Sequence, residues 1–238
     1  HQELYGYFDI NPMDNTENLP EGYIEEVLAG LDERQKARFR DGLWLDRREG
    51  ALWSYDMIAG TRVESAPALT RIVVAIDPAV TANEDSDETG IVVTGIDSSG
   101  HIYVLEDSSM QGTPLQWGKA AISLYRKYHA DRIIAEVNQG GDLVEANLRS
   151  IDKSIPYEQM RATRGKILRA EPVAALYEQG RVHHVGLMPE LELQMTEFNP
   201  QSEDSPDRLD ALVWGCTYLT QARSPIAHIP LITGGMKW

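Results

Sequence analysis

Cysteine is almost missing from this sequence. Cys216 stands alone, so a disulfide within the chain and a zinc site built from cysteines are both excluded. It falls in an apolar helical pattern, where a buried, inert thiol is expected. Long apolar runs are missing too. Nothing approaches the roughly 18 consecutive apolar residues that a membrane span requires, and His1-Gln2-Glu3 has neither the basic nor the apolar region of a signal peptide. The expectation is a cytosolic protein with no membrane partner. A first residue other than Met adds the expectation of a fragment of something longer, or of a processed N-terminus. Basic charge is scarce: 22 Lys and Arg stand against 37 Asp and Glu, and the net charge of −15 argues against coating nucleic acid by bulk electrostatics. Any contact with a polyanion must be local, beside acids whose field a metal ion inverts. No Gly-x-x-x-x-Gly-Lys-Ser/Thr occurs either. Gly118-Lys119 and Gly165-Lys166 lack both the earlier glycine and the following hydroxyl, so the chain carries no P-loop ATPase core and should not turn over ATP.

What is present suits one large domain with an appendage: 238 residues, 42% hydrophobic and 25% charged. Residues 1–66 read as an irregular N-terminal arm, punctuated by Asn11-Pro12, Leu19-Pro20 and Glu21-Gly22. A helical period runs through Ile24, Val27, Leu28 and Leu31, and Trp44, Leu45, Trp53 and Ile58 are apolar anchors. Such an arm is poorly stable alone and should pack on a neighbour. From Leu69 the pattern turns regular. Strands are expected over 71–76, 90–96 and 101–106 as a meander with a turn at Asp97-Ser98-Ser99-Gly100, then a helix over 114–128 with Pro114 in its first turn. A short buried strand over 132–135 follows, then helix 143–150, strand 157–161, helix 166–178 closed by Gly180, a candidate short strand 181–185, a short helix 189–195 and a last helix 206–220. The domain expected over 67–223 is α/β with a mixed sheet, and 224–238 is a tail without period.

Two buried strands end on a carboxylate. Arg71-Ile72-Val73-Val74-Ala75-Ile76 stops at Asp77, where Pro78 forbids further ladder, and Arg132-Ile133-Ile134-Ala135 stops at Glu136. If the strands are parallel neighbours, both acids emerge at one edge of the sheet. The last helix adds Asp207 and Asp210, whose spacing of three puts them on one face. Four crowded carboxylates repel and raise one another's pKa unless cations join them. Hard divalent ions, Mg²⁺ or Mn²⁺, take such oxygen ligands, and two of them about 3.5–4 Å apart can activate water and stabilise a leaving oxygen in phosphodiester hydrolysis. Strand-end acids and helix-start acids also occur for purely structural reasons. Their joint occurrence in this order favours a metal site.

Val-Ala-Ile-Asp77-Pro-Ala, Ile-Ile-Ala-Glu136-Val-Asn-Gln-Gly-Gly and Pro206-Asp-Arg-Leu-Asp-Ala-Leu-Val-Trp-Gly215 together resemble the nuclease domain of a tailed-bacteriophage terminase large subunit. The resemblance spans about residues 70–222 and is specific only in the combination of its three motifs. It implies an RNase H-like fold, a five-stranded mixed sheet flanked by helices, like that of Holliday-junction resolvases and integrases. It also implies cleavage of double-stranded viral DNA concatemers with two divalent metal ions, in the host cell cytoplasm. Asp77, Glu136 and one or both of Asp207 and Asp210 would be the metal ligands and catalytic acids; the motif does not say which of the last two is closer. Phe8-Asp9-Ile10-Asn11-Pro12 and Phe39-Arg40-Asp41-Gly42-Leu43-Trp44 resemble the end of the packaging ATPase and its linker. Portal protein and small terminase subunit are the partners so implied.

DNA contact is expected from Arg161, Arg164, Lys166 and Arg169, which follow a strand and open a helix whose free amides favour phosphate. Arg208 is expected on one of its flanking Asp residues or on phosphate, and Gln139-Gly140-Gly141 could let a backbone approach the scissile strand. The acids Glu84, Asp85, Asp87 and Glu88 read as a solvated loop, and His183-His184 should point to opposite faces of a strand. Three rivals stand beside the endonuclease. A resolvase shares the Asp-x-x-Asp. An actin-like ATPase or sugar kinase would need glycines after Asp77, which Pro78-Ala79-Val80-Thr81 lacks. A non-catalytic packaging module would bind its partners through arm and tail.

Overall fold

The β-branched run that precedes Asp77 forms the centre of the sheet. Strand β1 (Leu69–Asp77) pairs antiparallel with β2 (Gly90–Asp97), which pairs antiparallel with β3 (Ile102–Asp107). On its other side β1 pairs parallel with β4 (Arg132–Glu136), and β4 pairs parallel with β5 (Tyr157–Met160). The computed structural model describes residues 51–78, 88–137, 141–162, 165–198 and 206–221. These all belong to the compact unit Gly50–Trp238. The expectations placed on residues 1–50, on the acidic loop up to Asp87, on Asn138–Gly140, on Arg164 and on the tail from Ala222 lie outside the described residues.

The sheet has six strands in the order β5-β4-β1-β2-β3-β6, against the five expected. The sixth, β6 (Val182–His184), runs parallel to β3 and covers its open edge. It falls within the candidate strand 181–185, which is not counted among the expected five of the sheet. What makes β6 a strand is the unpaired edge of β3. Helices α2 (Pro114–Lys127) and α3 (Gly141–Ile151) lie on one face of the sheet. The opposite face carries α1 (Tyr55–Ala59), α4 (Lys166–Glu178), α5 (Pro189–Glu197) and α6 (Asp207–Gln221). Helix α4 ends where Gly180 takes φ +65°, a conformation that costs glycine little.

Period-two alternation divides the strands between two cores. Val74, Ile76, Ile91, Val93 and Ile133 pack with Trp117, Ile122 and Leu148 of α2 and α3. Val73, Ala75, Val92 and Ile134 pack with Leu209, Leu212, Val213 and Trp214 of α6. Residues 51–63 contribute to this second core, because Trp53 and Ile58 are completely buried in it. Trp53 meets Tyr177 edge-on with ring centroids 6.3 Å apart. No helix among the described residues is long and apolar enough to cross a membrane.

Candidate active site

Strand parity and register bring the first two acids together. Asp77 continues the series Val73, Ala75 onto the α6 face, and Glu136 continues from Ile134 onto the same face. Ile76 pairs with Ala135 in the parallel β1–β4 ladder, so the next residues, Asp77 and Glu136, leave neighbouring strands side by side at one edge. Helix α6 starts above that edge. A Cβ on Gly90, the partner of Asp77 in β2, would lie only 1.9 Å from the carbonyl oxygen of Asp207 and 3.1 Å from Cβ of Ala211. Only a glycine lets the first turn of α6 settle on the sheet there. That closeness, invisible in the sequence, brings Asp207 and Asp210 to the other two acids.

The electrostatics record the convergence. Burial pushes the Asp77 carboxyl well above the usual carboxylate range, and the charges of Asp210, Glu136 and Asp207, in that order, push it further. Asp210 is thus the acid of α6 that acts more strongly on Asp77. Lys166 opposes the rise. Its Nζ lies 2.6 Å from Oδ2 of Asp210, a buried oxygen that nevertheless receives no aligned hydrogen bond. Nη1 of Arg169 lies 3.3 Å from Oε1 of Glu136, while the indole Nε1–H of Trp214 donates to Oε2 at 2.6 Å. Glu136 and Asp210 are each 6% exposed.

The basic stretch therefore divides. Lys166 and Arg169 reach into the acids, Arg161 is exposed at the end of β5, and Arg164 lies outside the described residues. Arg208 meets neither flanking Asp. It pairs with Glu88 through two nitrogens, with Asp107 at 2.6 Å and with Glu190 at 2.6 Å, and so ties the first turn of α6 to β3, α5 and the segment before β2. His183 and His184 do point apart. His183 Nδ1 meets the Thr61 carbonyl oxygen at 2.8 Å, while His184 faces Glu192 and Tyr177 in the core.

Among the described residues no three acidic or imidazole side chains close around a point as a finished metal site does. Lys166 and Arg169 here supply the balancing positive charge. The donor set still fits a hard divalent cation. It consists of carboxylates alone, one of them with a buried oxygen lacking an aligned donor and another burdened by its neighbours' charges. Sequence reasoning singled out neither Trp214 nor Gly90 as part of the site. Trp214 does pack in the core, but its N–H points at Glu136.

Comparison with known proteins starts from this geometry. None of the curated proteins compared matches the chain. A large terminase from a thermophilic bacteriophage is similar in structure, with a TM-score of 0.53 at 18% identity over 87% of this chain and 54% of that one. The chain thus spans about half the length of that terminase. The large terminase nuclease from thermophilic phage G20c with bound magnesium gives a TM-score of 0.53 at 14% identity, over 71% of this chain and 98% of that one. The nuclease domain of the large terminase subunit gp2 of bacterial virus Sf6 gives 0.52 at 12%, over 70% and 98%. These likenesses show a common fold. The family model of the terminase RNase H-like domain matches residues 74–219, from the middle of β1 through α6, and so takes in all four acids. The chain, with carboxylates closing β1 and β4 and opening α6, belongs to the terminase RNase H-like domain family.

Proposed function

We propose that this chain is a divalent-metal-dependent endonuclease that cuts double-stranded viral DNA concatemers during genome packaging. The observation that carries the reading is the convergence of Asp77, Glu136, Asp207 and Asp210 at one sheet edge, where their charges act together on Asp77. Family membership and the magnesium in the G20c nuclease support it. Two Mg²⁺ or Mn²⁺ ions bound there would lower the pKa of the attacking water and stabilise the leaving 3′ oxygen.

The chain's own residues hold that arrangement. Asp77, central and most crowded, is the shared ligand. Glu136 and Asp210 flank it, and Asp207, half-buried, stands at the rim. Lys166 neutralises Asp210 until a cation replaces it, and is then available to a phosphate oxygen. Arg161 and Arg164 extend the contact to the DNA backbone. Residues 1–66 act as the end of a packaging ATPase and its linker, of which 51–63 pack into the nuclease core, 67–223 as the nuclease and 224–238 as a tail. The place of action is the host cytoplasm, with portal protein and small terminase subunit as partners of the assembled machine.

Plasmid cleavage by the purified chain in EDTA, Mg²⁺ or Mn²⁺, beside Asp77→Ala and Asp210→Asn, tests the reading. Cutting should need the metal and both acids and give products without discrete bands. Cutting by Asp77→Ala at the wild-type rate would sink it.

A further inference from the structure

Glu136 is gripped from two sides by groups that its own strand does not supply. Oε2 accepts the Trp214 indole N–H at 2.6 Å, and Oε1 has Arg169 Nη1 at 3.3 Å. The Arg169 guanidinium also lies over the Trp214 ring, 4.6 Å from its centroid, and its own Nε makes no hydrogen bond. The three side chains come from β4, α4 and α6 and are nearly out of solvent. A carboxylate at a strand end can rotate about its last bonds, so its orientation is set by what holds its oxygens.

The two contacts differ in kind. The indole is rigid, neutral and wedged in the core, and its short bond fixes Oε2 without bringing a charge of its own. The guanidinium contact is long and falls on the other oxygen. Oε1 is therefore the oxygen that a cation can take. We propose that Trp214 is a positioning residue that locks Oε2 of Glu136 so that Oε1 faces an incoming divalent cation, with Arg169, stacked on the indole, as the counter-charge that gives way. This rests on the metal-dependent reading above. It gives Arg169 a role toward Glu136 instead of phosphate.

Trp214→Phe keeps most of the buried ring and removes the N–H. Titration of the full chain with Mn²⁺ alone by calorimetry, with thermal unfolding in EDTA as control, should show affinity about tenfold weaker than wild type. The melting temperature in EDTA should fall by a few degrees as Oε2 loses its donor, with the chain still folded at the assay temperature, and DNA cleavage should recover as Mn²⁺ is raised. Equal Mn²⁺ affinity in the variant and wild type overturns the positioning role and leaves the nuclease reading standing. A wild type that binds no Mn²⁺ overturns both. The wild type alone gives a second test that does not depend on the variant folding. The chain has five tryptophans, hence five indole N–H resonances, and the one that Glu136→Gln displaces should shift on adding Mg²⁺. If that resonance is indifferent to saturating Mg²⁺, the proposal falls.

Discussion

Asp77 carries an opposition between stability and function. A carboxyl held above its ordinary range by burial and by three neighbouring acids is a destabilising group whenever no cation is present. Asp77→Asn should therefore raise the melting temperature in EDTA by a few degrees while abolishing metal-dependent cleavage. Unchanged or lowered stability would show that the crowding is already relieved, and a thermal scan decides it. A second set of residues answers to pH. Arg62 grips both oxygens of Glu192 at 2.6 and 2.9 Å, Glu192 accepts from His184 at 3.0 Å, and His184 Nε2 meets the Tyr177 hydroxyl at 2.8 Å. Burial lowers the His184 pKa and raises that of Tyr177, so a neutral imidazole donates through Nδ1 and accepts from a protonated phenol. Despite its burial, hydrogen bonds from His184 and Arg62 lower Glu192 to about 2. Both depressed groups contribute stability at neutral pH. The His184 part should fade as pH falls below the ordinary imidazole value of about 6.5. The Glu192 part should fade from about 4.5 down to about 2. Melting temperatures measured downward from neutral pH should fall, and His184→Gln, though less stable at neutral pH, should flatten the first part of that slope.

At the scale of elements, the seat of α6 on β2 decides whether the acids meet. Gly90→Ala inserts a methyl where Asp207 backbone already lies at 1.9 Å, so the helix start must move. The expected cost is about 1–3 kcal/mol of stability, together with a loss of cleavage larger than the unfolded fraction explains. Denaturant unfolding beside cleavage per folded molecule checks this; normal cleavage by the folded fraction would mean that the helix start tolerates displacement. Arg208 fastens the same turn from outside. Several of these positions were legible in the linear sequence: the strand ends at Asp77 and Glu136, the Asp207–Asp210 spacing and the Gly180 stop of α4. Each depends on residues a few places apart. Gly90, the partners of Arg208 and the pairing of 182–184 with β3 were not, because each is set by an element distant in the chain.

For the molecule as a whole, the net charge of −15 sets the terms of its meeting with DNA. With Lys166 and Arg169 turned inward to Asp210 and Glu136, two of the expected phosphate contacts are occupied by the protein's own acids. Binding to duplex DNA should accordingly be weak in EDTA and strengthen when a divalent ion takes the carboxylates. Fluorescence anisotropy with Ca²⁺ in place of Mg²⁺ measures this on the full chain. Replacing Arg164 and Lys166 together should weaken the ion-supported binding and reduce its salt slope. Equal affinity with and without divalent ions would contradict the exchange of cations at the acids.

The sequence by itself determined the alternation that sorts Val73, Ala75 and Asp77 to one face and Val74 and Ile76 to the other, because strand parity is a local property of the backbone. It likewise determined the order of strands and helices and the types of residue at their ends, from which family membership could be read. Only the tertiary structure decided that β1 and β4 are parallel neighbours in register, that a sixth strand covers β3, and that Trp214 reaches Glu136 from 78 positions away. It also turned Lys166 and Arg169 onto acids instead of outward. The physical reason is that a side chain's partner is chosen by what the folded sheet and helices bring within hydrogen-bonding distance, and burial makes an unmatched charge too costly to leave alone.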